Sequence, residues 1–261
     1  MTAIAASIFS LFIIFLATTI GSSFVFFFRK SFGDKTNNLI LGFASGIMIS
    51  ASFFGLLLPS IDKSKEYFGN LYVFPVVLGF LFGGVLLYLM DRFIPHLHKM
   101  NGVEEGRKSP IGNNMKFFLA VTMHNIPEGL SVGFACGLAL HGGDEGLIYS
   151  CLSLACGIAI QNIPEGAAVS IPMFGDGMKK GKAFLFGVVS GIVEPIFGII
   201  GLFISQFSIL TPWLLSLACG AMIYVTLDEL LPEARKGGYE HYGIWAFMAG
   251  FVLMMTLEMV L

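Results

Sequence analysis

Charge is what this chain of 261 residues has least of: Asp, Glu, Lys and Arg make up 12% of it, about half the share found in an ordinary soluble domain. The formal net charge is −2, and no Lys/Arg run interleaved with aromatics exists, so the electrostatic footprint of a nucleic-acid binder is missing. Cysteine is scarce too. The four present, Cys136, Cys151, Cys156 and Cys219, all fall inside apolar runs and none forms a CxxC pair. They read as small buried hydrophobes rather than as zinc thiolates, and they leave the redox compartment undecided. The HExxH spacing of zinc peptidases is absent, and no Ser–His or Asp pairing suggests another hydrolase, so the chain is not expected to be an enzyme.

What is abundant is apolar: 56% of the residues are hydrophobic, with 27 Phe and 32 Gly, and the mean hydropathy is +0.82. A chain so poor in charge must keep most of its surface out of water, and a lipid bilayer is the solvent that fits. Eight apolar stretches recur with short polar breaks, at 4–28, 39–58, 71–90, 117–140, 147–171, 183–204, 210–231 and 242–261. Each is close to the ~20 residues a helix needs to span hydrocarbon. Backbone polar groups cannot stay unpaired in lipid, which makes these spans helices. The reading is therefore an all-α membrane protein with eight transmembrane helices in one transporter domain, residues 1–261. The first span has no basic segment before it and is too long for a signal-peptide core, so it is not a cleavable leader.

The breaks after spans one, three, five and seven hold 13 of the 15 Lys and Arg, leaving Lys63 and Lys65 on the other side. The positive-inside bias places those breaks in the cytoplasm and both termini outside, in a multi-pass protein of the cell (inner) membrane. The longest break, the cytoplasmic loop 91–116, is polar and carries His96, His98, Glu104 and Glu105.

The fourth span contains His124-Asn125-Ile126-Pro127-Glu128-Gly129 and the fifth Gln161-Asn162-Ile163-Pro164-Glu165-Gly166. In each copy the first residue and the Glu lie one helical turn apart and share a face. Proline inside a helix removes one N–H and frees a carbonyl a turn earlier, a defect that belongs in the bundle interior rather than against lipid. A short turn, 141–146, joins the two spans, so they run antiparallel and their motifs converge at mid-membrane.

Glu128, Glu165 and Glu194 all sit near span centres, where each charge costs roughly 2.5–3.5 kcal/mol on insertion scales. No Lys or Arg lies in a span centre to offset them. Protons or a bound cation must do so. His124 adds imidazole nitrogen, Asn125, Gln161 and Asn162 add amide oxygen, and Met48, central in the second span, adds thioether sulfur. That donor set suits zinc, iron or manganese better than sodium or potassium. Two other readings stand beside a metal transporter. One is a proton-coupled cation exchanger using the three glutamates as a relay, which would need neither His124 nor Met48. The other is an intramembrane metalloenzyme activating water.

At these motifs, together with GIVEPIFG at 191–198 and ELLPEA at 229–234, the sequence resembles the ZIP family of zinc and iron transporters, and most of all its gufA-type prokaryotic branch. The resemblance implies inverted repeats of helices 1–3 and 6–8 around central helices 4 and 5, with a site at the repeat interface. It implies a binuclear centre in which Met48, His124, Glu128, Gln161 and Glu165 surround one ion. Asn125, Glu128, Asn162, Glu165 and Glu194 surround the second. Gln161 stands where many members carry a second His, and Asn162 where some carry Asp; both changes remove basicity or charge and weaken the second ion. By the same resemblance Zn2+ is the transported substrate, with Fe2+, Mn2+ and Cd2+ as further candidates, and movement is toward the cytoplasm. Asp62 recruits ions at the outer side, while Asp91, His96, His98, Asp228 and Glu229 mark a release path. His141, Asp144, Glu145, Glu240 and His241 are read as solvated loop residues. The expected partners are metal ions, the lipid bilayer and no nucleic acid, and a homodimer is compatible with these.

Overall fold

The computed structural model describes residues 2–27, 33–93, 96–98, 103–105, 113–142, 145–175 and 177–260. Arg29, Lys30, Lys99, Arg107, Lys108 and Asp144 lie outside the described residues, and Asp91, His96, His98 and Glu229 are described by their backbone alone.

Among the described residues ten α-helices follow in chain order: α1 (Ala3–Ser23), α2 (Asp34–Ser50), α3 (Leu58–Phe68), α4 (Val73–Phe93), α5 (Asn113–Gly142), α6 (Glu145–Gly175), α7 (Lys180–Ile204), α8 (Thr211–Val225), α9 (Leu231–Glu233) and α10 (Glu240–Val260). The Thr2 hydroxyl caps α1 by accepting from the Ala5 N–H at 3.2 Å, satisfying one of the donors a helix start leaves open. The second span is not one regular helix. A π-helical stretch, Ala51–Leu57, joins α2 to α3, and another, Thr226–Leu230, joins α8 to α9. Each is followed by a proline, Pro59 and Pro232, whose nitrogen has no hydrogen to donate to the regular i→i−4 ladder.

Seven of the resulting helical runs are long and apolar enough to cross a membrane: Ala3–Phe26, Asp34–Leu71, Val73–Met90, Glu145–Gly175, Lys180–Ile204, Thr211–Asp228 and Glu240–Val260. The chain is a multi-pass membrane protein. The fourth of the eight expected spans, α5, is not among the seven. At 30 residues it reaches about 45 Å, but His124, Asn125, Pro127 and Glu128 dilute its apolar character. The loop expected at 91–116 is shorter, because α4 runs to Phe93 and α5 starts at Asn113. Within it, His96–His98 pairs antiparallel with Val103–Glu105, with His96 opposite Glu105 and His98 opposite Val103, a small departure from an all-α chain.

Polarity is arranged inside out. Phe82 and Phe203 are about 60% exposed, at 59% and 63%, whereas Asn125, Glu128, Asn162 and Glu194 are fully buried. The most extensive helix pairs are α1 with α6, α5 with α7, α2 with α10, and α4 with α8. Small residues let these backbones meet, the usual device where lipid supplies no hydrophobic force between helices. Cys136 and Cys151 are disulfide-bonded between α5 and α6, with Cα atoms 5.2 Å apart. This corrects the reading of all four cysteines as separate hydrophobes; only Cys156 and Cys219 are free thiols among the described residues.

Candidate metal site

The glycine that ends each NIPEG copy explains how the site is assembled. A Cβ on Gly129 would run into the backbone of Glu194, and one on Gly166 into the backbone of Thr18. Without side chains there, α7 lies directly on α5 and α1 directly on α6, which delivers Glu194 and Thr18 to the level of the two motifs.

Glu128 on α5 accepts a short hydrogen bond at Oε1 from the Gln161 amide on α6. Glu194 on α7 accepts at Oε2 from Asn162 Nδ2 at 2.7 Å and at Oε1 from the Thr18 hydroxyl at 2.6 Å. Asn125 Nδ2 donates to the Ser190 carbonyl at 2.9 Å. A carboxylate and a carbonyl can only accept, so each amide must turn its nitrogen toward these partners. Its oxygen then points elsewhere. Asn125 Oδ1, Gln161 Oε1, Asn162 Oδ1 and Glu128 Oε2 are all buried with no hydrogen-bond partner among the described residues. Leaving one buried acceptor unsatisfied costs about 1–3 kcal/mol. A group of them has a simple remedy in a cation.

Glu128, Glu165 and Glu194, from α5, α6 and α7, are electrostatic neighbours of one another. Glu165 is half-buried on α6, and His124, 6% exposed, lies on α5 one turn before Glu128. Among the described residues no group of three or more His, Cys, Asp or Glu side chains stands close enough to hold a metal ion unaided. The donors brought together are carboxylate and amide oxygens. Met48 is buried on α2 in a cluster with Leu87, Ala221 and Val225, and its sulfur lies 3.7 Å from the Thr226 hydroxyl.

The flanking residues are more dispersed. Asp62 on α3 is exposed and paired with Lys65 at 3.7 Å, and Asp228 is exposed in the second π-helical stretch. His141, read as loop, ends α5, with its ring 2.7 Å from the Gly137 carbonyl. Two polar residues, one buried and one half-buried, escape a reading of the sequence alone. Thr18 sits in an apolar run and shows its role only when α1 meets α7. Glu258, in the last turns of α10, is half-buried beside Gly55 of the first π-helical stretch; its apolar flanks and terminal position gave no spacing signal.

A multi-pass helical bundle that buries carboxyl and amide oxygens at its centre belongs with membrane transport proteins. Comparison with known proteins narrows the class. The family model described as ZIP Zinc transporter matches residues 101–258. The human protein named zinc transporter ZIP11 is 30% identical, over 92% of this chain and 93% of its own. Zinc transporter ZIPB of Bordetella bronchiseptica is 35% identical, over 94% of this chain and 77% of its own, and zinc transporter GufA of Myxococcus xanthus is 34% identical, over 84% and 85%. The chain belongs to the ZIP zinc transporter family.

Proposed function

We propose that the protein carries zinc across the inner membrane into the cytoplasm, through a mid-membrane site built from Met48, His124, Asn125, Glu128, Gln161, Asn162, Glu165 and Glu194. The observation that carries this reading is the set of buried, partnerless oxygens around Glu128 and the two amide-bearing motifs. Hard oxygen donors beside an imidazole suit a divalent transition metal, and the relatives above are named zinc transporters. Ordered water and protons could satisfy the same oxygens, but a proton relay would need neither the imidazole of His124 nor the thioether of Met48. Glu128 and Glu165 are the bridging ligands if two ions bind. The amides at Gln161 and Asn162 make the second position the weaker one.

The architecture belongs to the same proposal. Residues 1–261 form one transport domain of eight spans with both termini outside, α5 being the fourth. Helix pairing supports inverted repeats: exchanging α1 with α7, α2 with α8, α4 with α10 and α5 with α6 turns the α1–α6 pair into α7–α5 and the α2–α10 pair into α8–α4. The π-helical stretches before Pro59 and Pro232 correspond under that exchange. Asp62 recruits ions outside, and Asp91, Asp228, Glu229, His96 and His98 assist release. Fe2+, Mn2+ and Cd2+ are competing substrates, and a homodimer is compatible with the lipid-facing surface.

Uptake into proteoliposomes tests this reading. Zinc should accumulate saturably inside the vesicles, with Cd2+, Fe2+ and Mn2+ competing. Zinc flux no greater than in empty vesicles would overturn it.

A further inference from the structure

Glu194 differs from Glu128 in one respect that bears on release. Both of its oxygens are already satisfied by neutral donors, the Thr18 hydroxyl at 2.6 Å and Asn162 Nδ2 at 2.7 Å, whereas Glu128 keeps one oxygen open. The two donors share a second acceptor. The Thr18 hydroxyl and Asn162 Nδ2 each lie 3.3 Å from the Ile14 carbonyl. That carbonyl is therefore within reach of both donors without Glu194.

Thr18 is held in place for this. It is 1% exposed, its backbone lies against Gly166 of α6, and its side chain faces Gly191 of α7, one turn before Glu194, where an added Cβ would come within 2.9 Å of it. A valine has nearly the same shape but no donor.

We propose that Thr18 is a positioning residue that competes with the ion for Glu194. Its hydroxyl holds the carboxylate when no ion is present, yields to the ion by turning to Ile14, and retakes the carboxylate as the ion leaves. The inference rests on the metal-site reading above. A hydrogen bond to a charged acceptor is stronger than one to a neutral carbonyl, so ion binding exchanges a better bond for a poorer one at Thr18. Deleting the hydroxyl removes that penalty. Binding tightens and release slows.

The test compares Thr18→Val, Thr18→Ala and Thr18→Ser by zinc binding to purified protein and by zinc uptake into vesicles. Thr18→Val should lower the zinc Kd and KM about fivefold and lower the maximal rate as well. Thr18→Ala should shift both in the same directions, and Thr18→Ser should restore wild-type values. Kd and KM that are unchanged or raised in whichever of Thr18→Val and Thr18→Ala folds would overturn the inference, as would failure of Thr18→Ser to restore them. Glu128→Ala separates the two claims. If it still binds zinc saturably, the site reading itself fails; if it does not, and Thr18→Val binds like wild type, only the role of Thr18 is refuted.

Discussion

Gly129→Ala replaces one hydrogen with a methyl at the closest approach of α5 and α7. That methyl would lie 2.8 Å from Glu194 Cα and 2.9 Å from its carbonyl carbon, whereas carbon pairs rest at about 3.5–4.0 Å. The obstacle is backbone, so no rotamer change relieves it, and α7 must retreat by about 1 Å. The 2.6 and 2.7 Å hydrogen bonds to Glu194 then stretch beyond the ~3.2 Å range of a normal bond. Losing two bonds to a carboxylate costs roughly 3 kcal/mol or more, and the better helix propensity of alanine returns about 1 kcal/mol. The expected net loss is about 2 kcal/mol or more, together with impaired zinc transport. Thermal unfolding in detergent and uptake into proteoliposomes measure the two effects. Gly84→Ala is the control, because nothing lies within 4 Å of its added Cβ; it should be neutral or slightly stabilising. If Gly129→Ala matches the wild type in both assays, close approach of α5 and α7 does not set the position of Glu194.

Metal ligands must be deprotonated, and a free imidazole titrates near ~6.5. Zinc affinity should therefore fall as pH drops from about 7.5 to 5.5, with protonation of the glutamates acting in the same direction. An affinity flat across that range would show that no titrating group holds the ion. The His96→Ala, His98→Ala double variant should keep substantial uptake and alter its rate or its response to internal metal, because both histidines lie outside every apolar span whereas the open oxygens are buried within them. Complete loss of transport at normal membrane expression would place the loop in the essential pathway.

The spans and the two NIPEG motifs were legible because a 20-residue apolar run and a charged residue at its centre are both rare and both have a definite physical meaning in lipid. The reading was least direct where those two signals collide. α5 is the most polar of the long helices because it holds His124, Asn125, Pro127 and Glu128, so its helical length and its apolarity disagree. The π-helical stretches are hidden because one extra residue in a turn leaves no mark on an apolar run; only Pro59 and Pro232 hint at them. Cys136 and Cys151 stand nearly equidistant from the turn between α5 and α6, a signal that antiparallel pairing of those spans makes usable in retrospect. Thr18 carried no such signal. A threonine in an apolar helix reads as a packing residue until the glycines at 166 and 191 bring α6 and α7 onto it.

The direct test of a carboxylate-centred zinc pathway is zinc influx into proteoliposomes carrying Glu128→Ala or Glu165→Ala protein, each shown to be folded and inserted at wild-type density. No Lys or Arg lies at a span centre to take the place of an ion, and each glutamate ends the polar face of its NIPEG motif, so saturable influx should vanish in both variants. Near-normal zinc flux through a well-inserted Glu165→Ala or Glu128→Ala protein would contradict it.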